Sequence, residues 1–223
     1  MNQTPRPPHF SSGHKENAAP LVLASASPRR AEILKSAGFR FEAVAARIDE
    51  SSALISRDAP AAATSLAEGK ARSVAALRPG AIVIGADTLV VLDGNVLGKP
   101  AGPERAMEML QALRGREHTV VTGVAVCWPG GLASGAEKTI VQFRRYSDGE
   151  IAAYVAAGSP LDKAGAYGIQ DRPFSPARRY DGCYLNVVGL PLCLATKLLR
   201  SAGAPADPDV GVACPGHSGP RPG

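Results

Sequence analysis

The chain has 223 residues, enough for one sizeable core, and its 45% hydrophobic and 20% charged residues exclude a largely disordered protein. Only 5% of residues are aromatic and the net charge is +5 without a run of five basic residues. This argues against a nucleic-acid partner and fits a small anionic ligand at least as well. No apolar stretch nears the roughly 18 residues of a membrane span, no apolar h-region opens the chain, and the four cysteines lack metal-ligand spacing, so the expectation is a cytoplasmic protein without membrane contact.

Residues 1–19 are polar and carry Pro5, Pro7 and Pro8, while ten of the 21 residues from Gly203 to Gly223 are Gly or Pro. Neither end offers enough apolar surface to offset ordering entropy. Both are predicted to be disordered tails, leaving one domain over residues 20–202. Leu21–Ala24 reads as a buried strand. Ser27 before Pro28 is an N-cap followed by an N1 proline, opening a helix that runs from Arg30 to Ala37 and stops at Gly38. Phe39–Ala45 reads as a strand and the alanine-rich Ala59–Leu77 as a long helix. Ala81–Ala86 is the clearest buried strand. Leu89–Leu92 and Val96–Leu97 flank Asp93-Gly94-Asn95 as a hairpin. Pro103–Leu113 is a helix with Ala106, Met109, Leu110 and Leu113 on one face. Thr119–Val126 and Lys138–Tyr146 read as pairing strands, Ser147–Ala157 as a helix, Asn186–Leu190 as a strand and Pro191–Ala202 as the last helix. Strands and helices interleave with hairpins, which predicts an α/β fold on a mixed sheet.

Ser25-x-Ser27-Pro28-Arg29-Arg30 lies between a strand and a helix. Helix-start N–H groups, two hydroxyls and two guanidinium groups compose a phosphate cradle without a Walker motif; the plainer alternative is an N-cap with two solvated arginines. Asp49, Glu50 and Asp87 are carboxylates at strand ends or in loops, suited to hold a divalent cation or activate water, or else turn residues. Lys70 reads as part of a solvated helix face and Lys99 as a turn residue. The segment Asp162–Gln170 crowds charge, glycines and an amide able to read a base edge; alternatively it is a glycine-rich turn. His118 and Tyr167 read as core.

In order along the chain, Ser25-x-Ser-Pro-Arg-Arg30, Asp49-Glu50, Gly85-Ala-Asp-Thr88, Gly98-Lys-Pro100, Asp162-Lys-Ala-Gly-Ala-Tyr-Gly-Ile-Gln170 and Asn186-Val-Val-Gly-Leu-Pro191 resemble the Maf family of nucleoside triphosphate pyrophosphatases, once described as septum-formation inhibitors. The resemblance runs from about Leu21 to Leu199. It implies an elongated mixed sheet with flanking helices, in two lobes around a cleft, similar to the inosine triphosphatase group. It also implies cleavage between the α and β phosphates with a divalent cation, Mg²⁺ or Mn²⁺, and a homodimer. Carried over residue by residue, it gives Ser27, Arg30, Lys70 and Lys99 to the triphosphate, Asp49 and Glu50 to the metal, and Asp87 to the water as general base, or to the metal. Arg29, Thr88 and Gln170 resemble the branch acting on dTTP and UTP, which implies modified pyrimidine triphosphates as further substrates. After Gln170 this chain departs from that branch's glycine-rich run and reads Asp171-Arg-Pro-Phe-Ser-Pro-Ala-Arg-Arg179. The alternatives are a broad-specificity or 7-methyl-GTP pyrophosphatase of the same family, or a nucleotide-binding regulator of cell division with little turnover.

Overall fold

A computed structural model describes residues 19–49, 58–204 and 218–220. In chain order the elements are β1 (Leu21–Ala24), α1 (Pro28–Ser36), β2 (Glu42–Ala43), α2 (Ala59–Ala75), β3 (Ile82–Leu92), β4 (Asn95–Leu97), α3 (Pro103–Leu113), β5 (Glu117–Trp128), β6 (Gly131–Phe143), α4 (Asp148–Ala156), β7 (Ala177–Gly182), α5 (Tyr184–Val188), α6 (Leu192–Ser201) and β8 (Ser218–Pro220). Among the described residues eight strands form one mixed sheet in the order β2-β1-β3-β5-β6-β7-β8, with β4 beside β3. β1 runs parallel to β2 and β3, and every other pairing is antiparallel. The predicted α/β mixed sheet with flanking helices is therefore the observed fold.

Local chemistry explains most of the elements. Ser27 caps α1 through its hydroxyl with Pro28 at the first position, as expected. α3 buries Ala106, Met109, Leu110 and Leu113, the predicted face. α4 begins with a full capping box between Ser147 and Glu150. α2 is alanine-rich because it lies directly on the sheet. A Cβ at Gly85 would come within 2.5 Å of the Ala67 carbonyl oxygen, and one at Gly123 within 2.2 Å of that of Ala63. Two glycines on the sheet and small residues on the helix are what permit this approach.

The structure corrects several expectations. The strand predicted over Asn186–Leu190 is the short helix α5 and its exit turn. Periodicity cannot separate such a short apolar run from a helix. Here the Asn186 amide is engaged by the Val120 carbonyl and the Thr139 hydroxyl, and Gly189 and Leu190 both donate to the Leu185 carbonyl. β7, a charged strand that follows Pro176, has no counterpart among the strands predicted; its Arg178 and Arg179 are exposed on the strand. The strand over Ala81–Ala86 and the first hairpin arm are one continuous strand, β3, because β5 pairs along it from Val83 to Val91. The strand over Phe39–Ala45 shortens to the two residues of β2. Within the glycine- and proline-rich tail, Ser218–Pro220 pair with β7 at the sheet edge, a place where proline is tolerated. Residues 1–18, 205–217 and 221–223 of the two tails lie outside the described residues.

Candidate active site

The sheet itself opens the site. β1 pairs with β3 from Leu21↔Ile82 to Ala24↔Gly85 and then stops. β4 takes up the same edge of β3 only at Val90↔Leu97. Between these two partners the stretch Ala86–Leu89 has neither beside it, and β5 covers the opposite edge. A cleft of about 650 Å³ opens over this gap, at the carboxyl end of parallel strands where α/β sheets place their ligands. The loop after β1 with the start of α1 forms one side, the Gly98-Lys99 turn another, and the segment Asp162–Asp171 the far wall.

Strand alternation sends neighbouring residues of β3 to opposite faces. Asp87 faces α2, is only 8% exposed, and accepts a hydrogen bond from the Lys70 ammonium. Thr88 faces the other way. Its hydroxyl lies 3.0 Å from that of Thr122 on β5 and accepts from the Arg30 guanidinium at 3.1 Å. Arg30 also donates from Nε to the Gly189 carbonyl at 2.8 Å and from Nη1 to the Ser25 hydroxyl at 3.2 Å. The guanidinium is thus fixed by β1's exit loop, β3 and the turn after α5, in the planar fork geometry that suits a phosphate. Thr122 in turn donates to the Asn186 carbonyl at 2.9 Å, so the buried side of the sheet supports Thr88 from beneath. Ser27 lies at the helix start, where the positive dipole end favours an anion, although Pro28 has no N–H and the Ser27 hydroxyl already takes the Arg30 amide.

On the far wall, Arg29 reaches Asp162 at 3.6 Å, and Lys163 pairs with Asp162 at 2.9 Å and with Asp171 at 3.5 Å. Burial pushes the Asp162 carboxyl up, yet Lys163 and then Arg29 hold it below its ordinary value. Gly165 donates to the Gly98 carbonyl at 3.1 Å, tying this wall to the Lys99 turn. Beneath it, His118 Nε2 lies 2.7 Å from the Tyr167 hydroxyl. Both side chains are buried, as expected for core. Desolvation pushes the His118 imidazole down to about 3, so it is neutral near pH 7.

Ser27, Arg29, Arg30, Lys70, Asp87, Thr88, Lys99 and Gln170 all line this one cleft. Asp49 is exposed and is not among its lining residues, although Ala46 of the same segment is; Glu50 lies outside the described residues. Lys70 is not on a solvated face: its side chain is 13% exposed. Lys163 and Asp171, which lie inside or beside the Asp162–Gln170 motif, also line the cleft without having carried a role of their own in the sequence, while Ser25 is one of the two hydroxyls of the predicted cradle. Among the described residues no three His, Cys, Asp or Glu side chains cluster as a metal-binding set. A magnesium ion that rides on substrate phosphates needs only one or two carboxylates, and the buried Asp87 fits that requirement.

Comparison with known proteins places this arrangement. A dTTP/UTP pyrophosphatase of Moorella thermoacetica is 51% identical over 189 residues, covering 82% of this chain and 95% of the relative. One from Geobacter sulfurreducens is 49% identical, covering 82% and 97%, and one from Dehalococcoides mccartyi is 44% identical, covering 84% of each chain. A solved dITP/XTP pyrophosphatase from Mycobacterium abscessus matches more loosely, at 17% identity and a TM-score of 0.36 over 56% of this chain and 75% of that one. The family described as Maf-like protein matches residues 20–202, a span that contains every residue lining the cleft; the chain belongs to the Maf family.

Proposed function

We propose that this chain is a nucleoside triphosphate pyrophosphatase that hydrolyses dTTP and UTP to the monophosphate and pyrophosphate. The observation that carries the reading is the pairing of Asp87 with Lys70 at the floor of a cleft, flanked by the fixed Arg30 guanidinium and the start of α1. The names and similarity of the Moorella, Geobacter and Dehalococcoides relatives support the substrate class.

In this reading the triphosphate lies along the cleft, with its oxygens met by Ser27, Arg30, Lys70 and Lys99. These groups neutralise the charge that builds on the leaving pyrophosphate. Asp87 accepts the proton of a water aimed at the α phosphorus. The water oxygen bonds to that phosphorus, the bond to the α–β bridging oxygen breaks, and the bridging oxygen leaves with the pyrophosphate. Lys70 orients the Asp87 carboxylate through its hydrogen bond. Asp49 and Glu50, or Asp87 in place of its role as base, would hold a divalent cation, Mg²⁺ or Mn²⁺, which would supply additional charge neutralisation. Arg29, Thr88 and Gln170 select the base: the Gln170 amide offers both a donor and an acceptor to a pyrimidine edge, and Thr88 acts partly by orienting Arg30. We place the enzyme in the cytoplasm with its soluble substrates; among the described residues no helix is long and apolar enough to cross a membrane.

The test is pyrophosphate release from dTTP, UTP, CTP, GTP and 7-methyl-GTP with Mg²⁺ or Mn²⁺. Release confined to dTTP and UTP is expected. Release from 7-methyl-GTP or from all five overturns the base preference, and release from none favours a binding protein with little turnover.

A further inference from the structure

Gln170 occupies the third position of a tight turn: the Asp171 amide donates to the Gly168 carbonyl at 3.1 Å. Gln170 is exposed and lines the cleft. The turn is held from behind. The Tyr154 hydroxyl, reaching in from α4, donates to the Asp171 carboxylate and accepts from the Gly168 amide at 3.2 Å. It thereby joins the first and last residues of the turn. The Asp171 carboxylate folds back over Gly168 so closely that a Cβ there would come within 2.7 Å of Oδ1. Lys163, on the same wall, lies 3.5 Å from the other carboxylate oxygen.

Tyr154 is itself immobilised. Its ring stacks on Phe174 at 4.3 Å with an interplanar angle of 11°. The chain leaving the turn is gripped by Arg144, which donates to the Phe174 carbonyl at 2.7 Å and to the Ser175 carbonyl at 3.0 Å. Burial, and then the bond to Asp171, push the Tyr154 hydroxyl up, so it stays protonated and remains a donor. A carboxylate at the end of the turn, a buried phenol across it and a lysine beside it form a frame around a single exposed amide.

We propose that Tyr154 and Asp171 are positioning residues that fix the Gln170 turn, and through it the placement of the pyrimidine base. The proposal rests on the substrate reading given above. Tyr154 does not line the cleft, so it acts only through the turn.

Two readouts test it. Hydrogen exchange, with no substrate present, reads the latch directly. Tyr154→Phe keeps the ring stack on Phe174 and removes the hydroxyl, and the segment 165–173 is expected to exchange at least about threefold faster while β3 and β5 are unchanged. Kinetics read the consequence. Tyr154→Phe is expected to raise KM for dTTP and UTP about fivefold with kcat within about twofold, and to add less than about twofold in a Gln170→Ala background. Asp171→Ala, which also takes a carboxylate from the cleft wall, is read by exchange alone and should speed it over 165–173 as Tyr154→Phe does, and Asp171→Asn, which still accepts the Tyr154 proton, should restore slow exchange. Unchanged exchange over 165–173 overturns the latch whatever the enzyme hydrolyses. Faster exchange with KM unmoved, or an equal KM effect without Gln170, overturns its role in base placement. If the unaltered protein hydrolyses neither dTTP nor UTP, the pyrimidine reading fails separately while exchange still decides the latch.

Discussion

Lys70 on α2 donates to Asp87 on β3, and both side chains lie almost wholly within the protein at the floor of the cleft. The pair exists because α2 presses on Gly85 and Gly123, which brings the helix within reach of the strand. Asp87→Asn removes the proton acceptor while keeping the shape, so kcat should fall about 10²–10⁴-fold; it also leaves the buried Lys70 ammonium without its carboxylate, so the melting temperature should fall as well. A variant that melts normally and turns over at the native rate would remove Asp87 from the reaction. Lys70→Ala should do two things at once, lowering both kcat and the melting temperature, because it leaves a buried carboxylate without its cation.

The close approach of α2 makes a second prediction. Gly123→Ala puts a methyl group where the Ala63 carbonyl already lies. Overpacking of this kind costs about 1–3 kcal/mol, and the helix can move off only by carrying Lys70 away from Asp87. Stability and kcat should therefore fall together. A normal melting temperature with full activity would contradict the packing account.

Arg30 is fixed by three acceptors that no single ammonium can match: the Gly189 carbonyl, the Ser25 hydroxyl and the Thr88 hydroxyl. Arg30→Lys keeps the charge and loses the fork. Hydrogen bonds to a charged group contribute roughly 1.5–3 kcal/mol each, so triphosphate binding should weaken about tenfold or more in a direct titration with dTTP. Equal affinity would show that charge alone suffices at this position.

His118 makes the stability depend on pH. Folded, its imidazole is pushed down to about 3 by burial; unfolded, it returns to its ordinary value of 6.5. Between these values the unfolded chain binds the extra proton. This residue's contribution is therefore fully present above about pH 6.5 and is lost as pH falls towards 3, with a slope of up to about 1.4 kcal/mol per pH unit. His118→Gln, which keeps a partner for the Tyr167 hydroxyl and does not titrate, should flatten the fall in melting temperature between pH 6.5 and 4. Parallel curves for the two proteins would contradict this origin.

Elements with strong local signals were readable from the sequence. The Ser27-Pro28 cap, the apolar face of α3 and the buried run of β3 follow from residue chemistry alone. α5 and β7 were not readable, because tertiary contacts decide them: Asn186 is pulled into the core by Val120 and Thr139, and the charged β7 is a strand only because β6 offers it an edge. The site shows the same division. Its motifs are visible in order along the chain, and eight of the predicted residues meet in one cleft. What the sequence could not convey is partnership. Lys70 reads as a solvated helix residue until α2 is seated on two glycines. Thr88 reads only as one of a base-selecting trio until Arg30 reaches it from α1.

The most direct test of the account is the product analysis of dTTP hydrolysis by the unaltered protein and by Asp87→Asn, with Mg²⁺ present and then chelated. Release of dTMP and pyrophosphate is expected from the unaltered protein, and almost none from Asp87→Asn or after chelation. Formation of dTDP and phosphate, or native turnover by Asp87→Asn, would contradict it.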